Sequence, residues 1–239
     1  SIFELRRCND HYIGSNALNV SAIIMAAGSG SRFGERKQFK LLKGIALYFY
    51  SLNKFLLCED IYEIILVVPE SKVADIKKDI ANIKKTKKIL VISGGLRRQD
   101  SVKNGVLSVS NKSQVVCIHD GARPFISEKL IKQSIIACLN NDGAIVANPN
   151  FDTLKTCVRG YVKKTIDRNN VWMAQTPQVF WKIKLLDAIA ISEKKNTEIT
   201  DESSMMESLG YKVSVVRGDY NNFKITSRED WDRAANIIE

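Results

Sequence analysis

The chain has 239 residues, 45% of them apolar, and a formal net charge of +10 at pH 7, which suits one globular domain, or one domain with an excursion, able to bury a full core. No run of about 18 apolar residues occurs, which argues against a membrane-spanning helix. The basic residues are scattered (Lys77, Lys78, Lys163, Lys164) without a basic-plus-aromatic motif, which argues against nucleic acid as the partner; small phosphorylated substrates fit the charge as well as any polyanion.

Residues 1–19 lack periodicity and the apolar core of a signal peptide, so they are set apart as a leader or tag-like segment. The rest, 20–239, reads as a single domain. Val20 to Ala27 is a near-continuous apolar run, the pattern of a strand buried on both faces. After a polar loop, Gly28 to Lys40, a helix is expected over Ala46 to Cys58, with Leu47, Tyr50, Ser51, Lys54, Leu57 and Cys58 along one side. Ile61 to Val68 is the next strand, and Ser71 is expected to cap the helix that follows it. Ile89 to Ile92 is a third strand ending in Ser93-Gly94-Gly95, and Gln99 to Val109 a helix. Val115 to Ile118 is a fourth strand, running into His119-Asp120-Gly121. Ser127 caps a helix to about Asn140, and Gly143 to Ala147 is a fifth strand.

This alternation predicts a three-layer α/β fold with a mainly parallel sheet. Right-handed crossovers bring the C-terminal strand ends to one edge, where ligands bind in open α/β sheets. Gly28, Gly94, Gly95 and Asp120 all follow strands and so meet at that rim. The rhythm then breaks. Asp152 to Val158 and Tyr161 to Ile166 read as a β-hairpin turning at Arg159-Gly160, giving an arm over about Phe151 to Trp172. Gln178 to Phe180 reads as a short strand, Lys182 to Ser192 as a helix, and Thr200 to Gly210 as another. Val213 to Val216 and Asn222 to Thr226 read as late strands, and Ser227 caps a terminal helix.

The five cysteines, Cys8, Cys58, Cys117, Cys138 and Cys157, form no CxxC pair and are odd in number, which points to free thiols in a reducing compartment. The two histidines, His11 and His119, are too few for a histidine-based metal site.

The loop Gly28-Ser-Gly-Ser-Arg-Phe-Gly34 is neither a Rossmann fingerprint, whose third glycine would fall at Phe33, nor a Walker A loop, since no Gly-Lys-Ser/Thr closes it. Its small residues still let backbone N–H groups approach phosphate oxygens, and Arg32 and Lys37 add positive charge. Nucleotidyl transfer needs positioning and charge stabilisation more than covalent chemistry.

Ala26-Ala-Gly-Ser-Gly-Ser-Arg-Phe-Gly34 with Lys37-Gln-Phe39, then Gly94-Gly95, Arg98 and Asp100-Ser-Val102, then His119-Asp120-Gly-Ala-Arg123-Pro-Phe125, Asp152-Thr-Leu-Lys155, Thr165-Ile-Asp-Arg168, Gln175-Thr-Pro-Gln-Val-Phe180, Ile199-Thr-Asp-Glu202 and Asn222-Phe-Lys-Ile-Thr226 resemble the 2-C-methyl-D-erythritol 4-phosphate cytidylyltransferases of the non-mevalonate isoprenoid pathway. The motifs stand in that family's order across Ser21 to Glu239. The resemblance implies a Rossmann-like nucleotidyltransferase fold. It implies transfer of a cytidylyl group from CTP to 2-C-methyl-D-erythritol 4-phosphate by direct in-line attack, with Mg²⁺ or another divalent metal. It also implies a homodimer whose arm reaches the neighbouring subunit's site.

By the same resemblance, Arg32 and Lys37 stabilise the charge of the transition state, joined by Lys224 and Arg168. Ala26, Ala27, Gly28, Ser29 and Gly30 cradle the nucleotide. Backbone groups near Ala26, Gly95 and Leu96, with the Ser101 hydroxyl, read cytosine, and glycine at 94 and 95 keeps the base edge open. Asp120 holds the metal, with Gly121 beside it, and Arg123 orders the rim on the ribose or substrate side. Thr153, Arg168 and Lys224 bind the sugar phosphate. Thr200 and Asp201 cap a helix or line the pocket, with the cap favoured. His119 is read as a packing residue, and Gln175 to Gln178 as a joint between arm and core. Leu96 departs from an acidic residue, and Gly121 from an alanine, in some relatives. A ribitol 5-phosphate cytidylyltransferase, a sugar 1-phosphate nucleotidyltransferase and, from another class, a basic nucleic-acid-binding protein are the rival readings. Location is expected to be the bacterial cytoplasm, or a plastid-type organelle if residues 1–19 remain from a leader.

Overall fold

The computed structural model describes residues 18–30, 33–83, 86–195 and 201–238; residues 1–17, Arg32 and Thr200 lie outside them. In chain order the elements begin with β1 (Asn19–Met25), a 3-10 turn at Lys37–Phe39, the short pair β2 (Leu41–Leu42) and β3 (Ile45–Ala46), α1 (Leu47–Leu57), β4 (Ile61–Val68), α2 (Val73–Ala81) and β5 (Lys88–Ser93). They continue with α3 (Arg98–Leu107), β6 (Ser113–Asp120), α4 (Glu128–Leu139), β7 (Gly143–Pro149), β8 (Leu154–Val158) and β9 (Tyr161–Ile166). The last are β10 (Trp172–Trp181), α5 (Lys182–Lys195), α6 (Glu202–Ser208), β11 (Val213–Arg217) and α7 (Arg228–Ile237).

Seven strands form one sheet in the order β11-β7-β10-β6-β1-β4-β5. All neighbours run parallel except β10, which is antiparallel to both β6 and β7. The apolar runs are continuous because both faces are covered. In β1, Ala22 and Ile24 pack into one core while Ile23 packs into the other; β4 divides likewise, with Ile64, Leu66 and Val68 against Ile65 and Val67. Helices α1, α2 and α4 cover the first face, and α3, α5 and α6 the second. The expected three-layer, mainly parallel architecture is therefore the observed one. Among the described residues, no helix is long and apolar enough to cross a membrane.

Four expectations change. The buried face of α1 comprises Leu47, Tyr48, Ser51, Leu52, Phe55 and Leu56; Lys54 and Leu57 are exposed, because the core-facing stripe is set by the aromatic pair Tyr48 and Phe55. Ser71 does not cap α2. The chain after Pro69 already closes a 3-10 turn, with Lys72 N–H donating to Pro69 O at 2.8 Å, so Ser71 lies inside that turn and its hydroxyl accepts from Arg36 Nη1 at 3.4 Å. The short strand at Gln178–Phe180 is the C-terminal part of a ten-residue strand that passes through a cis Thr176–Pro177 bond and interrupts the parallel order. Asn222 to Thr226 joins no sheet; it is fixed instead by single bonds such as Ile225 N–H to Ala122 O at 2.9 Å.

Other local readings hold. Ser127 and Ser227 cap their helices, their hydroxyls accepting from Leu130 N and Asp230 N at 3.2 Å each. Asp201 caps α6, accepting from Ser204 N at 3.1 Å. The arm forms where expected, β8 antiparallel to β9. Its turn has positive φ at both Arg159 (50°) and Gly160 (83°), the geometry that matches a two-residue turn to strand twist. Cys58, Cys117 and Cys138 are buried free thiols, and Cys157 on the arm is an exposed one.

Candidate active site

The C-terminal ends of β1, β4, β5 and β6 surround an open pocket of about 650 Å³. The loop after β1 contributes Ala27, Gly28 and Ser29, the 3-10 turn contributes Lys37 and Gln38, and the loop after β5 contributes Gly95 and Leu96. Asp120 closes the end of β6, and Lys224 enters from the irregular C-terminal segment. Topology thus assembles most of the expected nucleotide wall from residues scattered over the whole chain. Lys37 is not a surface cation, being only 6% exposed, with its ammonium 5.6 Å from the centre of the Phe33 ring.

The glycines serve the protein's own packing as well as ligand access. A Cβ on Gly94 would lie 2.5 Å from Ala27 Cβ, and one on Gly95 would lie 2.4 Å from Asp100 Cβ. An open base edge is therefore not the whole reason for glycine there: the loop lies directly on the first turn of α3. Gly95 N–H donates to the Ser101 hydroxyl at 3.0 Å. Ala26 N–H donates to Val67 O at 2.8 Å, which leaves its carbonyl rather than its N–H for reading a base. Leu96 is fully exposed at the pocket edge. Gly30 has φ +71° and serves the loop's own turn, since a Cβ there would strike Glu35 O.

Asp120 is the electrostatic centre. Its carboxylate lies 3.0 Å from Lys224 Nζ, 3.4 Å from Arg123 Nε and 3.6 Å from Arg98 Nη2. Burial pushes its pKa up, but the three cations outweigh burial and hold it below the usual carboxylate range. Asp120 is therefore ionised, at a pocket wall otherwise rich in cations. Arg123 is nearly buried and spends Nη1 on Asn222 O at 2.8 Å, so it orders the rim from behind. Gly121, also buried, ties the same corner to β1 through its N–H and Met25 O at 2.9 Å. Burial lowers His119 to about 4. Its ring nitrogens meet Thr176 Oγ1 at 2.9 Å and Arg123 O at 3.1 Å, the situation of a neutral packing residue.

Two residues that stand in the sequence motifs but were given no role there contribute to the site. Arg98 lines the pocket and forms a two-pronged ion pair with Glu202, Nη2 to Oε2 at 3.1 Å and Nη1 to Oε1. Glu202 is 1% exposed. Burial raises its pKa, and Arg98 opposes the rise. For Arg98, burial disfavours the charge, but Glu202 and Asp120 reverse this and leave its pKa raised. In sequence, Glu202 reads only as an acid in the first turn of a helix, favourable to the helix dipole. Nothing local announces a partner 104 positions away.

Thr153 and Arg168 are not brought to this pocket. Both are exposed on the arm, and Arg168 Nη1 donates to Phe151 O. Asp201 caps its helix and accepts from Gln178 Nε2 at 2.9 Å.

The donor set also bears on a metal. Among the described residues no group of three or more His, Cys, Asp or Glu side chains converges, which is unlike a protein-built Zn²⁺ or Ca²⁺ cage. The pocket of about 650 Å³ is lined by two carboxylates, Asp120 and Glu70, and the ionised, buried Asp120 fits Mg²⁺, which takes one or two carboxylates and completes its shell with substrate phosphates and water.

A glycine-rich loop, buried and half-buried cations and the buried Asp120 carboxylate at the C-terminal edge of a mainly parallel sheet define a nucleotidyltransferase. Comparison with known proteins gives the particular one. The model of the 2-C-methyl-D-erythritol 4-phosphate cytidylyltransferase family matches residues 20–239. The enzyme of that name from Aquifex aeolicus is 41% identical over 220 residues, covering 91% of this chain and 97% of its own. That from Alkaliphilus oremlandii is 38% identical over 228 residues, covering 94% and 97%. The crystal structure of 4-diphosphocytidyl-2C-methyl-D-erythritol synthase from Anaerococcus prevotii superposes with a TM-score of 0.83 at 32% identity, covering 93% of this chain and 96% of that one. The chain belongs to the 2-C-methyl-D-erythritol 4-phosphate cytidylyltransferase family.

Proposed function

We propose that this chain transfers the cytidylyl group of CTP to 2-C-methyl-D-erythritol 4-phosphate, releasing diphosphate, and that Lys37 and Lys224 flank the reacting phosphates. A phosphate oxygen of the acceptor attacks the α-phosphorus, the bond to the β-phosphate oxygen breaks, and the diphosphate leaves in line. The attacking monoester is already anionic near neutral pH, so no side chain has to take a proton from it, in keeping with the neutral, buried His119. Charge grows on the equatorial oxygens and on the leaving diphosphate, where fixed cations are most effective. Lys37, with Arg32 of the same loop, serves the triphosphate. Lys224 serves the acceptor phosphate, its charge steadied by Asp120. The observation that carries this reading is the convergence of Lys37, Asp120 and Lys224 on one pocket beside Gly95 and Ser101.

Asp120 would hold Mg²⁺, which supplies charge neutralisation on the phosphates when bound. Gly95, Leu96 and Ser101 read the base. Thr153 and Arg168, remote from the pocket of their own chain, complete the acceptor site of a second copy through the arm. Arginine suits that task because its fork binds phosphate in two-pronged fashion. The bacterial sources of its relatives support a cytoplasmic location.

Diphosphate release with CTP and each acceptor tests the reading. Release with methylerythritol phosphate and not with ribitol 5-phosphate or a sugar 1-phosphate is expected. Release only with ribitol phosphate overturns the acceptor assignment.

A further inference from the structure

We propose that Asn222 is a positioning residue for the transfer reaction: its buried carboxamide locks the segment bearing Lys224 onto the strand that returns from the arm, and so sets where the Lys224 ammonium stands. The inference rests on the role given above to Lys224.

The segment from Asn222 to Thr226 has no ladder to hold it, yet it carries a pocket cation. Two anchors bracket that cation. On one side Ile225 is fully buried and its N–H donates to Ala122 O at 2.9 Å. On the other side Asn222 is fully buried, and its Nδ2 donates to Thr176 O at 2.9 Å and to Gln175 Oε1 at 3.1 Å. The Asn222 carbonyl accepts from Arg123 Nη1 at 2.8 Å. Gln175 adds a second tie through Nε2 to Asp219 O at 3.1 Å.

Thr176 links this latch to the other half of the site. Its hydroxyl accepts from Asp120 N–H at 3.0 Å. One residue of β10 therefore holds the backbone of Asp120 and, through Asn222, the segment of Lys224, the two members of a 3.0 Å ion pair. The carboxamide also makes a concession. Asn222 Oδ1 is buried and finds no protein partner. A buried acceptor left unpaired weakens a fold, so the donor side of this carboxamide, which does the latching, outweighs the loss on its acceptor side.

The test measures acceptor kcat/KM and the CTP dissociation constant for Asn222→Ala, Lys224→Ala and the double variant. A misplacement of about 1 Å near reacting groups costs on the order of 10²-fold, so Asn222→Ala is expected to lose about 10- to 10²-fold in acceptor kcat/KM, with CTP affinity changed less than about 3-fold. In the Lys224→Ala background the same substitution is expected to cost less than about 3-fold, because residues that act through one another are not additive. Equal losses in both backgrounds, or a parallel loss of CTP affinity, overturn the proposal while leaving the role of Lys224 intact. Unchanged acceptor use in Lys224→Ala alone overturns that role, and this proposal with it. Should Asn222→Ala fail to fold, Gln175→Ala, which removes one of the two acceptors, is measured in the same cycle; an effect independent of Lys224 there means a structural role only and overturns the proposal.

Discussion

At the pocket rim, Asp120 is buried among Lys224, Arg98 and Arg123, and Arg98 and Arg123 are held from behind by Glu202 and by Asn222 O. Along the arm, every residue of β9 is exposed, and Val158, Tyr161 and Val162 present apolar surface to water. The first region is packed into the body of the chain; the second is a two-stranded hairpin held by its own ladder and a few side-chain bonds such as Lys155 Nζ to Thr165 Oγ1 at 2.7 Å, an arrangement of marginal stability in isolation. On the proposed function, the difference teaches that charge stabilisation is pre-built by the core, while Thr153 and Arg168 would recognise the acceptor only where a second copy brings the two regions together.

The largest expected effect lies at the rim. Lys37→Ala should reduce turnover by roughly 10²-fold or more, the usual cost of removing one donor to a developing charge, a loss far larger than any change in the folded fraction read from the thermal melt. A similar loss in the melt would mean that Lys37 is structural. Mixing Arg168→Ala and Lys37→Ala chains sharpens the comparison: if sites are shared, one of the two sites in each mixed dimer is intact and up to about half of wild-type activity per mixed dimer is regained over either parent, and verified mixed dimers without rescue would place both residues in one chain's site. Next comes Glu202→Gln, which leaves Arg98 without its main counter-charge. Removing one partner of a fully buried pair costs about 3–5 kcal/mol; the Arg98 side chain keeps 35% of its surface in water, so a loss nearer about 2 kcal/mol is expected by denaturant titration. The smallest effect belongs to the arm. Val162→Ser should change the unfolding free energy of the single chain by less than about 0.5 kcal/mol, yet weaken self-association in sedimentation experiments. Unaltered association would detach the arm from dimerisation.

What could be read from the sequence follows a physical division. Strands buried on both faces announce themselves as apolar runs, so β4 was legible to the residue and β1 to within two, whereas only the apolar middle of β6, Val115 to Ile118, was legible because Ser113, Gln114, His119 and Asp120 at its ends are polar. Caps are local chemistry, and Ser127, Asp201 and Ser227 were legible for that reason. Ser71 misled because a 3-10 turn reached it first. The span of β10 was hidden by Pro177 and by polar Gln175 and Thr176, which look like a loop until the tertiary partners of Asn222 and Asp120 are seen. Asn222 to Thr226 has the composition of a strand, but no sheet edge is there to receive it. The Arg98–Glu202 pair was illegible because its logic is wholly non-local, and the packing role of Gly94 and Gly95 because a clash with Asp100 or Ala27 exists only in three dimensions.

The insertion of β10 between β6 and β7 also constrains how the chain is made. Among the described residues, β7 meets the rest of the sheet only through β10, so β7, although made first, cannot join the sheet until Trp181, the last residue of β10, is available, and β11, made later, joins through β7. During synthesis, at roughly 5–20 residues per second, β6 waits with an unpaired edge while the β7 segment and the whole arm emerge. The nascent chain therefore spends seconds as a four-stranded half-sheet with an adhesive border, and the interval closes only when the strand leaving the arm arrives to seal it.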